Sequence, residues 1–450
     1  MRRPYLASTA VLAACALASP GTTTAQSQQG PPIEILHGFT LIDGRGGDPI
    51  GDAALAIEGN RILMAGPLED VRARWERDLN VITVDLGGGF VVPGLVDSHV
   101  HLATVPNRER AEAELHRQLY AGITAVRDMA GDGRALASLA RDALLGEIEA
   151  PDIYYAALMA GPSFFADPRP QASARGATAG EVPWMQAVTP ETDMVRAVAR
   201  AKGTFAQGIK IYANLGWNDV TRIVEEAHRQ EMRVWAHSMV FPTRPLQVVR
   251  SGVDVVSHVC RIAWEGMANA PTEYHHGRLP EYDLITPDAP VFTELFQEML
   301  ARGTILDATL AMNARFDRMI EQNPDNSTPR RCDTDFARGL VRQAHAIGVP
   351  IVAGTDFNTP PAAPFPALHQ ELEELVAHGG FSPMDAIASA TRVAARALGI
   401  EATHGTLEPG RSVNFVLLDS DPSADIANLR TVRAVWKNAA RFARSDFRAR

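Results

Sequence analysis

Phe90-Val91-Val92-Pro93-Gly94-Leu95-Val96-Asp97-Ser98-His99-Val100-His101 decides the reading of this chain. The run is apolar, rich in valine, and closes on two histidines, which predicts a buried strand over 91–99 with His-x-His at its C-terminal end. Residues two apart on a strand share a face, so both imidazoles can converge on one metal ion. A single His-x-His among 13 histidines carries little weight by itself. Later apolar runs supply the rest: 208–212 contains Lys210, 233–237 ends on His237, 253–258 on His258 and 350–356 on Asp356. Active sites of (β/α)8 barrels lie at the C-terminal ends of their strands, so this repeated placement points to catalysis rather than packing.

Eight strands are predicted, over 91–99, 123–129, 153–159, 208–212, 233–237, 253–258, 304–310 and 350–356. Helical spacing of apolar residues separates them at 108–120, 134–145, 191–206, 219–231, 290–301 and 335–347. Strand alternating with helix in this way predicts a closed parallel (β/α)8 TIM barrel, an α/β fold. Outside it, 33–86 shows short β-prone runs split by turns, and 414–419 and 431–436 have the same character, so the two ends are expected to combine into one β-sandwich. The expected division is a signal peptide at 1–25, sandwich at 26–92, barrel at 93–403, and sandwich with tail at 404–450.

The motifs resemble those of the amidohydrolase superfamily, more narrowly its imidazolonepropionase-like and prolidase-like members with two metals. They are Val92-Pro93-Gly94-Leu95-Val96-Asp97-Ser98-His99-Val100-His101, Gly122-Ile123-Thr124-Ala125-Val126-Arg127-Asp128, Ile209-Lys210-Ile211, Gly354-Thr355-Asp356 and Gly405-Thr406-Leu407-Glu408-Pro409-Gly410. The resemblance implies that His99, His101 and Asp356 hold one divalent ion and His237 and His258 the other. It also implies that a carboxylated Lys210 and a hydroxide bridge the two. One departure is visible: relatives carry Ala-Asp where this chain has Val413-Asn414, which bears on local packing.

Residue chemistry agrees with that picture. An ammonium beside two dications is repelled, whereas a lysine carbamylated by carbon dioxide offers a bridging carboxylate; burial near positive charge lowers the lysine pKa and frees the amine that this needs. A plain structural lysine is the alternative. Asp356 can take the proton of the nucleophile and pass it to a leaving amine, or can simply cap a following helix. Tyr212, two residues beyond Lys210, points the same way, to steady an oxyanion or merely to pack. Two zinc ions suit the nitrogen and oxygen donors, with manganese or cobalt able to substitute. Arg127-Asp128 reads as a structural ion pair, His228, His345 and His378 as surface or packing residues, and His369 as lying outside the pocket.

A chain of 450 residues, 46% hydrophobic, can bury a large core, and a net charge of −10 argues against nucleic acid as a partner. Arg2 and Arg3 followed by an apolar stretch and small residues up to Ala25 read as an export signal, with no membrane span in the mature chain. Leu12-Ala13-Ala14-Cys15 offers lipoprotein anchoring as the alternative. Cys260 and Cys332 are read by preference as separate thiols, although export would permit one bridge. The basic end 441–450 is read as a solvated tail.

Long loops at 161–188, 260–289 and 311–331 are expected to form lids or pocket walls. They carry Arg169, Arg175, Arg261, Arg278 and Arg315 for a substrate carboxylate, and Phe164, Phe165, Trp184, Trp264 and Tyr274 for an apolar pocket. The resulting expectation is an exported two-metal amidohydrolase, compatible with a homo-oligomer, that cleaves an amide bond in a dipeptide or N-acyl amino acid. The alternatives are a cyclic amide, lactone or carbamate ester as substrate, a metal-bearing binding protein, and a decarboxylase-type reaction.

Overall fold

The structure is a computed structural model, and it describes residues 31–275, 277, 279–322, 332–357, 359–360 and 363–450. The expected signal segment 1–25 and Cys15 lie outside the described residues.

Eight strands form the barrel: Leu95–Val100, Ile123–Asp128, Asp152–Ala160, Gly208–Ile211, Arg233–His237, Val255–Ser257, Ile305–Asp307 and Ile351–Val352. Each pairs in parallel with the next. The last meets the first through backbone bonds from Ser98 N to Ala353 O (3.1 Å) and from Asp356 N to His99 O (2.8 Å). Val96, Ala125, Ala156, Trp235, Val255 and Ile305 fill the interior. Trp235 is fully buried and donates from Nε1 to Ala397 O (2.9 Å), fastening the interior to the helix Arg392–Leu398 beneath it. A second apolar layer packs the surrounding helices onto the outer face of the barrel.

The predicted strand over 91–99 is two strands. Phe90–Pro93 belongs to another sheet and Leu95–Val100 to the barrel, with the break at Gly94. There a Cβ would stand 2.1 Å from Thr124 Oγ1, so the chain changes sheets at a position only glycine can fill. That other sheet has eight strands from both ends of the chain, in the order Ala440–Ala443, Val432–Lys437, Phe415–Leu418, Phe90–Pro93, Ile33–Leu41, Ile50–Glu58 and Arg61–Pro67, with Val81–Asp85 also paired to Ile33–Leu41. The expected sandwich is therefore one continuous hydrogen-bonded sheet. Phe39, Leu55, Phe415 and Trp436 form its core, the last two rings stacked 4.4 Å apart.

Asn414 secures this region in place of the relatives' aspartate, accepting from Asn438 N (2.8 Å) and bonding His404 Nε2 (3.0 Å). The C-terminal tail is less free than expected: Arg444 donates to Tyr120 O and Pro364 O, and Phe447 stacks on His116.

Two loop expectations change. Residues 311–322, expected as part of a loop, belong to the helix Leu310–Gln322, which also takes in the expected end of the seventh strand. The Glu371 carboxyl group, from the helix Leu368–His378, accepts Leu310 N (3.0 Å) and Ala311 N (2.6 Å) and so satisfies two amides at the N-terminus. The segment after the third strand contains the helix Pro168–Ser173 and the short strands Glu181–Val182 and Met185–Ala187, the second of which extends the barrel sheet along Leu158–Ala160. It walls one side of the barrel mouth.

Candidate active site

His99 stands in the first strand and His101 just beyond it; Lys210 lies in the fourth strand and His237 ends the fifth. His258 and Asp356 follow the sixth and eighth strands with φ of 74° and 47°, left-handed conformations that cost a non-glycine residue energy and turn both side chains sharply off their strands. The structure brings all six predicted ligands to one end of the barrel. Asp356 Oδ1 lies 3.1 Å from His101 Nε2 and 3.5 Å from His99 Nε2, and its Oδ2 is 3.7 Å from His258 Nδ1. Ring centroids of His99 and His258 are 5.0 Å apart, those of His237 and His258 4.8 Å.

Donor atoms of His99, His258 and Asp356 fall within 4.8 Å of one another, a grouping that cuts across the expected division of His99 and His258 between two ions and places Asp356 between the two sets. Lys210 Nζ and His237 Nδ1 are buried with no hydrogen-bond partner among the described residues. Buried polar atoms are normally paired, so two orphans beside a His/His/Asp group fit a centre completed by cations.

Electrostatics point the same way. Burial foremost holds the His99 imidazole, and far more strongly those of His237 and His258, below the ordinary histidine range, leaving them neutral as metal ligation requires. Burial, against the pull of Asp307 and Asp356, lowers Lys210 to about 7, within reach of a free amine. His101 goes the other way from those histidines: burial lowers it, but its hydrogen bond to Asp356 and the Asp356 charge prevail and raise it. Desolvation opposes ionisation of Asp356, but the contacts with His99, His101 and His258 in turn outweigh it and hold the carboxylate well below its usual range.

A second circle of residues was not foreseen. Asp307, fully buried at the end of the seventh strand, contacts His99 Nδ1 (2.7 Å) and accepts from Arg127 (3.0 Å) and Ser257 Oγ (2.9 Å). Arg127 therefore pairs with Asp307, correcting the expected Arg127-Asp128 pair; Asp128 instead accepts Leu102 N behind His101. The reason is alternation, since neighbours on a strand point to opposite faces. Asp97 accepts Thr355 N and Oγ1 and His99 N, tying the first strand to the loop that carries Asp356. A charged residue inside an apolar run, as in Ile305-Leu306-Asp307, was the available signal.

A cavity of about 540 Å³ opens over these groups, lined by His99, His101, Lys210, His237, His258 and Asp356 together with Leu102, Met129, Leu158, Phe164, Met185, Met312 and Phe316. A smaller one of about 120 Å³ continues from Tyr212, His237 and His258 towards Arg261, Trp264 and Tyr274. Tyr212 borders both, packs on His237 with centroids 3.9 Å apart, and accepts from Arg169 (2.9 Å). Arg169, Phe164, Trp264 and Tyr274 reach the cavities; Phe165 and Trp184 are buried elsewhere, Arg175 is exposed, Arg315 lies on Phe357, and Arg278 is outside the described residues. His369 is buried against Phe365 and lines neither cavity. Cys260 and Cys332 are joined in a disulfide, Cα atoms 5.7 Å apart, correcting the expectation of separate thiols. The bridge ties the segment after His258 to the start of the helix Thr334–Ile347.

This barrel, with its histidines and Asp356 gathered at the strand ends, defines a (β/α)8 protein with a candidate metal centre. The chain belongs to the amidohydrolase family, whose sequence profile matches residues 90–440. An imidazolonepropionase of Ralstonia nicotianae is 25% identical over 87% of this chain and 92% of its own length. One of Klebsiella pneumoniae is 44% identical, but over 16% of this chain and 18% of its own length; against several such relatives the chain spans under a fifth of their length. Among solved structures, A. niger ochratoxinase superposes with a TM-score of 0.71 at 22% identity (92% of this chain, 96% of that one). A Xaa-Pro dipeptidase with bound methionine gives 0.69 at 21% identity (91% and 100%). At these identities the likeness shows a shared fold.

Proposed function

We propose that this chain is a metal-dependent hydrolase cleaving the amide bond of a small substrate with a free carboxylate, a dipeptide or N-acyl amino acid. One observation carries the reading: four strand-end histidines, Asp356 and an unpartnered Lys210 amine converge on one wall of a chamber large enough for such a molecule. The match to imidazolonepropionases and the fold shared with a Xaa-Pro dipeptidase support it.

His99, His101 and Asp356 would hold one ion, His237 and His258 the other, and Lys210 as its carbamate would serve both. Zinc suits this donor set. Such ions polarise a carbonyl and lower the pKa of water. Asp356, ionised at neutral pH, takes the proton of the attacking water and delivers it to the amine nitrogen as the C–N bond breaks. Tyr212, its oxygen accepting from Arg169 and its hydroxyl beside that of Tyr274, would have to turn its proton from Tyr274 to a substrate oxygen. Asp307 orients His99 from behind.

Export directed by residues 1–25, or anchoring through Cys15, belongs to the same proposal. Among the described residues no helix is long and apolar enough to cross a membrane. The test is a screen of dipeptides and N-acyl amino acids with zinc-reconstituted protein, read by mass spectrometry. Paired acid and amine products are expected; loss of carbon dioxide, or no turnover across the panel, overturns the reading.

A further inference from the structure

Five arginines from the long loops compete to meet a substrate carboxylate, and the structure separates the four among the described residues. The Arg169 guanidinium is committed: it forms two bonds with Asp167 (2.9 and 2.8 Å) and donates to the hydroxyls of Tyr212 (2.9 Å) and Tyr274 (3.2 Å). Arg315, on the Phe357 ring, lines neither cavity, and Arg175 faces solvent. Arg261 differs. It lines the smaller cavity beside His237 and His258, and its guanidinium carbon stands 5.0 Å from the Tyr274 ring and 6.0 Å from that of Phe241. No carboxylate meets it among the described residues.

Its position is also fixed. Arg261 N bonds His258 O (3.0 Å), and the neighbouring Cys260 is bridged to Cys332, so a metal-ligand candidate and this guanidinium are held three residues apart on one short helix. A guanidinium stacked on aromatic faces keeps its in-plane donors open for a planar anion. The other side of the centre is more apolar: beyond His99 and His101 the larger cavity is walled mainly by Leu102, Met129, Leu158, Met185, Met312 and Phe316, with Thr104, Ser173 and the exposed Arg110 also on its lining. Methionines adapt to irregular apolar shapes, so this wall suits a bulky hydrocarbon of no fixed form.

We infer that Arg261 binds the carboxylate of the substrate on the His237/His258 side, and that the acyl part of the scissile amide is a large apolar group lodged in the methionine-lined chamber. The inference rests on the amide-hydrolase reading and adds an orientation to it: compact and anionic at the Arg261 end, long and apolar at the His101 end. Long-chain N-acyl amino acids are the substrate class with that polarity.

The test pairs kinetics with binding. Wild-type protein should turn over N-octanoylglycine with kcat/KM at least about tenfold above both N-octanoylglycinamide, which lacks the charge, and N-acetylglycine, which lacks the chain. Arg261→Met should raise KM for N-octanoylglycine by about ten- to hundredfold with kcat little changed, and leave the amide unaffected. Arg261→Gln, which keeps length and polarity, should do the same and guards against a folding defect in the first variant. Calorimetry with the non-hydrolysable N-octylsulfonylglycine and its carboxamide gives the readout without turnover: the acid binds more tightly to wild type and equally to either variant. Equal binding of acid and carboxamide to wild type, or an intact preference for the acid in both variants, overturns the role of Arg261; equal rates with octanoyl and acetyl substrates overturn the apolar chamber. Absence of turnover with every amide overturns the hydrolase reading instead, and the calorimetry still decides the subsite.

Discussion

Asp307 Oδ2 lies 2.7 Å from Nδ1 of His99, with neither residue measurably open to solvent. The contact places the ring proton on Nδ1 and presents Nε2 to the centre, and the same carboxylate neutralises the buried Arg127. One residue thus serves a candidate metal ligand and a buried cation together.

Asp307→Asn should therefore weaken metal affinity by about ten- to hundredfold, the scale for losing an outer partner of a ligating histidine. Competition against a chelator measures this. A lower Tm should accompany it, since Arg127 is left buried with a weakened partner. Metal affinity equal to wild type would show that His99 is oriented by packing alone.

Asp356→Asn should keep the fold and lose on the order of a hundredfold or more in kcat, the usual scale for general acid–base help. KM should change much less. Stopped-flow and steady-state rates on one amide substrate check this, and near wild-type turnover would assign the proton transfer to another group.

Lys210→Ala should be inactive, and short carboxylic acids such as propionate should restore part of the rate by standing in for the missing carbamate. Labelled bicarbonate should give wild-type protein a carbamate carbon signal that the variant lacks. An unmodified amine in the metal-loaded wild type would remove the bridging role.

Glu371 gives a pH prediction away from the metal ligands. Burial above all raises its carboxyl to about 8, against the two backbone amides that favour the charged form. An unfolded glutamate ionises near pH 4.5. Between those values the folded state holds a proton that the unfolded state has lost, so the contribution to stability is complete below about 4.5 and is lost as pH rises through about 8. Urea unfolding at several pH values should show wild type losing stability across this window by a few kcal/mol, in order of magnitude, relative to Glu371→Gln. Parallel curves for the two proteins would refute the assignment.

Much of the site was legible because barrel strands put chemistry at a fixed place: His99, His101, His237 and His258 close apolar runs, and Asp356 follows one, so position alone marked them. Asp307 was hidden by the same rule, as its run was read on to Leu310 and the acid sat inside it. Glu371 was hidden by company, since Glu371, Glu373 and Glu374 on one helix look like a solvated face. The disulfide depends on two distant segments meeting, which spacing along the chain does not encode. Gly94 was visible but unread: a Pro-Gly within a valine run marks a change of sheet, not the middle of one strand.

Phe90–Pro93 lies between Ile33–Leu41, synthesised before it, and Phe415–Leu418, synthesised after the whole barrel. As the chain leaves the ribosome, one edge of that strand must wait, its amides and carbonyls unpaired, until nearly the last residues emerge. A nascent chain halted within the barrel would carry an open β-edge next to His99 and His101, the first pair of candidate ligands. Aggregation, and with it dependence on chaperones, should therefore peak in truncations ending before Phe415 and fall once Phe415–Leu418 can dock.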